Sequence, residues 1–355
     1  MEKKYELTDE TMEYKSHVLH RIRALKDFSD VKKGDLGGWV EKEDNLSQEG
    51  TCWVYEDAEV YGNARVYNNA IIYGNARVHG STEIYGDTKI SNNAAVYGMA
   101  KIFDNAKVYN NARIHGNARV FGDARVFGNA TVFGNCWVYG NGKVYGNAKI
   151  FGYAKVSGSV KIYNNALIHG DARVCDNAFI HGDAKVYANA LICGKAEIFG
   201  NTRVCGNAYI HGDAKVYGKA EIYGKAEIYN FTRVSGIVCD AILNINAFIS
   251  NITSIKGYKD LMPIICDTNC FSCIGPVPII SKDIYITVYY YDGNIYVVLF
   301  LYNKDIYVFK EDEVEDFILK NIRILSDNEY ELLVQSVTLA KKSLEIKMNQ
   351  SRKED

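Results

Sequence analysis

The sequence predicts an all-β solenoid, a parallel β-helix, and three observations carry that prediction. Every position divisible by six from Val54 to Val234 is Val or Ile, 31 consecutive hits without insertion or deletion. Four residues after each comes a small residue, usually Ala, as at Ala58, Ala64, Ala70 and Ala76, with Thr82, Thr88, Cys136, Gly142 and Val160 among the few substitutes. The pair before each small residue is mostly Gly-Asn, Asn-Asn or Gly-Asp, which tolerates a left-handed backbone and so turns the chain. A fixed short period of this kind marks a repeat architecture.

The unit Ala64-Arg65-Val66-Tyr67-Asn68-Asn69 shows the physics. Alternate side chains of a strand face opposite sides, so Ala64 and Val66 point inward while Arg65 and Tyr67 point outward. Four strand residues and a two-residue corner make one flat side. Val fills the interior, and Ala sits near the corner where little room remains.

An aliphatic residue followed four positions later by a small one, as in Val120 and Ala124 or Ile210 and Ala214, resembles the hexapeptide-repeat superfamily. That resemblance implies a left-handed parallel β-helix with three sides, one hexad to each side and three hexads to a coil. The 31 hexads then make about ten coils, a rod ~50 Å long at ~4.8 Å per coil.

Four segments follow. Residues 1–51 lack the hexad and read as an N-terminal cap, because an open solenoid end exposes strand edges and core. In it Val18, Leu19, Ile22 and Leu25 are apolar points of one or two strands, and the run from Asp35 through Gly37-Gly38 to Trp39 reads as a turn before a buried Trp. Residues 52–236 are the β-helix, and 237–260 a transition in which the register dissolves. Residues 261–355 read as a small α+β domain. There Asp292-Gly293 joins two aromatic, β-branched runs, Ile284 to Tyr291 and Asn294 to Tyr302, into a hairpin. Ile306 to Phe309 adds a strand, and Glu311 to Ile322 and Asn328 to Met348 are helical by their apolar spacing.

Arg23-Ala24-Leu25-Lys26-Asp27-Phe28, the run Gly34 to Val40 and Asn45-Leu46-Ser47 resemble one subgroup, the YdcK-like hexapeptide proteins of bacteria and prophages. Ile274-Gly275-Pro276, the hairpin and Asp327-Asn328-Glu329-Tyr330 are similar to the tail of prophage members. The resemblance implies either an acyltransferase or a polymer-forming protein, and a prophage setting points to a host protein as partner.

Composition narrows the function classes. The formal net charge of −2 selects no partner. The nine Cys lack paired spacing, and the opening Met1 to Lys15 is polar, so a reducing cytoplasm with free thiols is expected and no membrane partner. The 27 Tyr suit half-exposed strand faces and flat surfaces that are readily buried, which points to a homo-oligomer.

Three kinds of chemistry are testable. For acyl transfer the candidates are His79, His115, His169, His181 and His211, but each follows the inward aliphatic residue, a position held by Tyr or Phe in 20 of 31 hexads. No carboxylate pairs with them by register, and no loop interrupts the hexads to build an acyl-CoA pocket, so they read as members of an aromatic ladder. His17 and His20 remain in the cap as further candidates. For metals, His79, His115 and His169 share a face but are two and three coils apart, ~10 and ~14 Å. Cys175 and Cys193 stack one coil apart and read as a polarizable ladder step. Cys266, Cys270 and Cys273 have the spacing of the cluster-binding motif of radical S-adenosylmethionine enzymes, but too little chain follows for the barrel those enzymes need. No metal or cofactor is therefore expected.

The third kind is the outer surface. The position before each Val or Ile is Lys or Arg in 17 of 31 hexads and Glu in five. With three hexads per coil, Lys89, Lys107, Arg125, Lys143 and Lys161 form one column, and Tyr109, Phe127, Tyr145 and Tyr163 run beside it. Stacked like charges repel, and a polyanion relieves that. Rings beside cations can also stack on bases. The leading expectation is a non-enzymatic scaffold presenting this aromatic-basic surface to a macromolecule, most simply a protein. Acyl-CoA-dependent transfer and nucleic-acid binding along the basic column are the alternatives.

Overall fold

The computed structural model describes residues 2–229, Arg233–Val234 and the backbone of seven further strands between 237 and 310. The chain divides into two compact units, residues 1–206 and 207–355.

In the first unit the hexads wind into a parallel solenoid with three faces, and every third hexad returns to the same face. On the first face Lys89 pairs with Lys107, and Lys107 with Arg125. On the second Ala95 pairs with Arg113, and on the third Lys101 pairs with Arg119. Each regular strand is only two residues long, such as Arg125–Val126, shorter than the four expected. Inter-coil bonding nonetheless runs on into the corners. Lys107 N donates to Ala124 O at 2.9 Å, Tyr109 N to Val126 O at 3.1 Å and Asn111 N to Gly128 O at 2.9 Å. Half of the backbone N–H groups of a hexad thus tie one coil to the next.

The inward positions behave as the pattern dictates. Val120, Val126, Val132, Ala124 and Ala130 are all fully buried, and burying one Val stabilises by about 1.5–3 kcal/mol. The first corner residue takes the left-handed conformation whether it is Gly128 (φ 69°), Asn110 (φ 60°) or Asp104 (φ 59°). A Cβ on Gly116 would stand 2.8 Å from Gly134 N, so the corners also pack backbone against backbone.

The cap is a small antiparallel sheet. Strand β1 (Tyr5–Tyr14) pairs with β2 (His17–Ala24), β2 pairs with β3 (Leu36–Val40), and β3 then runs parallel to Glu59–Val60 of the second face. Gly37 and Gly38 allow that handover, since a Cβ on either would meet Val54 or Ala58 carbonyl oxygen at 2.6 Å. Leu19 and Ile22 are buried as expected, whereas Val18 is exposed. The buried tryptophan is Trp53, packed edge-on to Tyr5 at 6.1 Å, and not Trp39. Trp39 lies half-buried under the Arg21 guanidinium at 5.1 Å, because its position on β3 alternates with the core-facing Gly38 and Val40.

In the second unit Lys215 pairs with Arg233, Tyr209 with Glu227, Glu221 with Ile237 and Glu227 with Ile242. Parallel pairing therefore continues past position 236 through Ile255–Lys256, with coils slightly shorter than three hexads. The hexad pattern disappears from 237 onward, but the backbone ladder does not. Ile284–Tyr291, Asn294–Leu301 and Ile306–Lys310 form the expected antiparallel meander. The expected helices at 311–322 and 328–348 lie outside the described residues. Among the described residues no helix is long and apolar enough to cross a membrane.

Candidate functional site

The basic column is built by strand register. Lys89, Lys107, Arg125, Lys143 and Lys161 are in-register parallel partners, one per coil of the first face. The column starts after Ile71 and gives way to Phe179, over whose ring Lys161 Nζ sits at 4.9 Å. None of the five is within salt-bridge reach of a carboxylate among the described residues. The other faces differ. Lys101 Nζ meets Glu83 Oε2 at 2.7 Å on the third, and Arg77 Nε meets Glu59 Oε2 at 3.3 Å on the second.

Beside the column the rings stack vertically. Tyr109–Phe127, Phe127–Tyr145 and Tyr145–Tyr163 have centroids 4.8, 4.8 and 4.9 Å apart and planes within 4° of parallel. His181 and Phe199 extend the ladder at 4.7 and 5.2 Å. Burial raises the pKa of Tyr109, Tyr145 and Tyr163, so their phenols stay neutral donors at physiological pH. This geometry corrects one expectation. The rings are vertical neighbours, but they cover one another's faces, so an interior ring offers a partner its edge and not a stacking platform for a base. A third ladder flanks them, in which Asn93, Asn111, Asn129, Asn147 and Asn165 each donate a side-chain N–H to the next, ending on Asp183 at 2.9 Å.

The histidines divide into two groups. His79, His115 and His169 belong to a continuous second-face ladder from Tyr61 to Tyr187, and burial lowers their pKa. Intervening rings separate them, so they share no ligand site. His181 and His211, by contrast, do have carboxylates, Glu197 at 3.3 Å and Glu227 at 3.4 Å. The expectation of no orienting carboxylate fails there because the partner lies diagonally on the next coil, just short of the in-register position. In the cap His17 Nδ1 bonds Glu41 Oε1 at 2.8 Å, and Glu41 Oε2 accepts from Gly62 N at 2.5 Å. Burial acts to raise the Glu41 pKa, but its bonds from His17 and Gly62 outweigh burial and hold it low. His20 Nδ1 bonds the Thr8 carbonyl at 3.0 Å.

The YdcK β-solenoid repeat model matches residues 58–74 and 124–140. These two segments match YdcK-type repeats. A similar protein is the uncharacterized acetyltransferase YdcK of Escherichia coli K12, 38% identical over 71 residues, 18% of this chain and 22% of that protein. The chain therefore matches less than a quarter of its relative's length. A UDP-N-acetylglucosamine acyltransferase from Arabidopsis aligns over 48% of this chain and 69% of its own, with 16% identity and a TM-score of 0.26. That score is too low to transfer a site from one to the other.

Two features of this solenoid are not encoded in the repeat spacing. An open cleft of about 490 Å³ lies where the cap meets the third face, lined by Glu43, Asp44, Gln48, Arg65, Tyr67 and Glu83. Three carboxylates against one guanidinium make it unsuited to the phosphates of coenzyme A. The other is Asp176, which joins Cys175 and Cys193 so that all their donor atoms lie within 4.8 Å of one another. Cys52, Cys136, Cys175, Cys193 and Cys205 are thiols outside any disulfide, while Cys266, Cys270 and Cys273 lie outside the described residues.

Proposed function

We propose that the chain is a non-enzymatic binding scaffold whose first face docks an acidic macromolecular surface, most simply that of a protein. One observation carries the reading: five stacked cations with no carboxylate in salt-bridge reach among the described residues, four of them beside rings that turn their edges outward. Cations spaced by one coil repel across ~4.8 Å, and an acidic partner removes that repulsion. Ring edges carry the positive end of the aromatic quadrupole, so the adjacent ladder has the same preference. Base stacking needs free ring faces, which argues for an acidic protein over single-stranded nucleic acid.

The test uses the full chain on an immobilised acidic polypeptide, with single-stranded DNA as competitor. Reversing Lys107, Arg125 and Lys143 to Glu abolishes retention, and the parent elutes at moderate salt. Reversing Arg119, Lys155 and Arg173 on the third face leaves retention within about twofold. Equal loss from both triple variants overturns the reading, and preferential displacement by DNA replaces the protein partner with a nucleic acid.

A second reading, acetyl transfer, is favoured by the name of the E. coli relative and by the His17–Glu41 pair. A carboxylate on Nδ1 leaves Nε2 as a base for an acceptor hydroxyl or amine. Acetyl-CoA then raises the melting temperature and His17→Ala removes acetylation without loss of fold; the absence of both effects rejects transfer.

A further inference from the structure

The ring ladder of the third face is continuous from Tyr67 to Tyr139, with centroids 4.7 to 5.0 Å apart. It then stops, and the next three places in that column are Ser157, Cys175 and Cys193. Where rings would shield the strand, two thiols one coil apart stand in a notch. Beside them, at a left-handed corner with φ 59°, Asp176 accepts a bond from Gly194 N at 2.9 Å through Oδ2. Asp104 makes the same corner contact with Gly122 N at 3.2 Å, but its ladder neighbours are Phe103 and Phe121. The aspartate's posture is thus a habit of the repeat. What is particular to residue 176 is the thiol pair at its side.

We propose that Cys175, Asp176 and Cys193 form a binding site for a thiophilic d10 cation, with Zn2+ as the reference case. Two sulfurs and one carboxylate oxygen suit such an ion and are poor ligands for Mg2+ or Ca2+. Zn–S bonds of about 2.3 Å in a tetrahedron place the sulfurs about 3.8 Å apart. The donor atoms already lie within 4.8 Å of one another, so side-chain rotation alone closes the set. Cys175 is half-buried and Asp176 exposed, which leaves the fourth position to water. The site is therefore open and exchangeable, not a closed structural zinc. Burial first, and then the adjoining Cys193 and Asp176, push the Cys175 thiol up to about 12. The ion binds by displacing thiol protons to solvent.

The experiment uses the full reduced chain with Cys266, Cys270 and Cys273 replaced by Ser, so that thiols outside the site do not compete. Titration with Co2+ gives thiolate-to-metal absorption that saturates at one equivalent and bleaches when Zn2+ is added. Cys175→Ser and Cys193→Ser each abolish the band, Asp176→Asn weakens binding about tenfold, and Cys205→Ser on the second face changes nothing. Ser157 already occupies the same ladder position one coil earlier, so serine preserves the fold. Cys175→Tyr, which continues the ring ladder, is a second folded variant without the band. A band that survives in Cys175→Ser/Cys193→Ser, or its absence from the parent, overturns the site.

Discussion

The first and third faces of the solenoid share one backbone repeat and one inner wall, yet their outer surfaces diverge. On the first, five cations follow one another with no carboxylate in salt-bridge reach among the described residues; an amide ladder runs beside all five, and a ring ladder beside the last four, from Tyr109 to Tyr163. On the third, Glu83 neutralises Lys101, Trp137 sits between Arg119 at 5.2 Å and Lys155 at 5.0 Å, and the ring ladder is interrupted after Tyr139. The repeat folds equally well when a Glu and a Trp interrupt its outer cations. The unbalanced column is therefore not a requirement of the fold, and such local violations are where function is expected. Inward and corner positions specify the solenoid; the two outward positions are free to specify what it binds.

The largest expected effect tests whether the two faces are the same scaffold. Gly128 follows the first face and Gly140 the third, at φ 69° and 67°, with a Cβ position 3.0 and 2.9 Å from the next coil's backbone nitrogen. Gly128→Val and Gly140→Val should each destabilise by about 2–4 kcal/mol, from left-handed strain plus inter-coil overlap. Gly128→Asn should cost under about 1 kcal/mol, since Asn110 holds the same corner one coil earlier. Urea melts measure all three, and a large gap between the two valine variants would show that the faces are not equivalent.

Next in size is the ring ladder. Phe127 stacks on Tyr109 and Tyr145 at 4.8 Å each, so Phe127→Ala should cost about 2–3 kcal/mol in a thermal melt. The matching change on the third face runs the other way. Ser157→Phe supplies the ring missing after Tyr139 and should stabilise by about 0.5–1.5 kcal/mol. If it destabilises, the notch at Ser157 is shaped by something other than a missing ring.

Much of this was legible because a fixed period of three hexads per coil turns spacing directly into contact. The column from Lys89 to Lys161 and the ladder from Tyr109 to Tyr163 stand where that arithmetic places them. What spacing cannot encode is lateral reach. His181 finds Glu197 diagonally, and Asp176 reaches the thiols from a corner. Nor does spacing give ring orientation, which decides whether a face or an edge meets the partner. The cap has no repeat to read, so the buried Trp53, the pressed Gly37 and Lys4, whose ammonium donates to Cys52 O at 3.0 Å, emerge only from tertiary packing.

A smaller effect separates the second-face histidines from the charged first face. Burial lowers the pKa of His79, His115 and His169 in the folded chain. The unfolded chain binds more protons below its ordinary value of about 6.5, so stability is full above that pH and falls as pH drops toward the folded values. Replacing all three by Phe, the residue already at Phe133 and Phe151, should flatten the fall in melting temperature between about pH 7 and 5. An unchanged pH profile would place the sensitivity elsewhere.

The smallest effect on stability is the sharpest on function. Arg125 stands between Lys107 and Lys143, and Arg125→Glu converts two repulsive cross-coil contacts into attractive ones. Pairs this exposed are worth a few tenths of a kcal/mol each, so the variant should gain about 0.5 kcal/mol at low salt and lose the gain at high salt. The same change removes a cation from the centre of the docking column and should weaken retention on an acidic partner by about tenfold or more. On the third face the mirror substitution, Glu83→Lys, should lower stability by a similar amount and leave retention unchanged. A column kept at the expense of stability is expected where like charges serve binding. If Arg125→Glu instead destabilises the chain and binds as before, the cations of the first face are structural and the asymmetry between the faces carries no function.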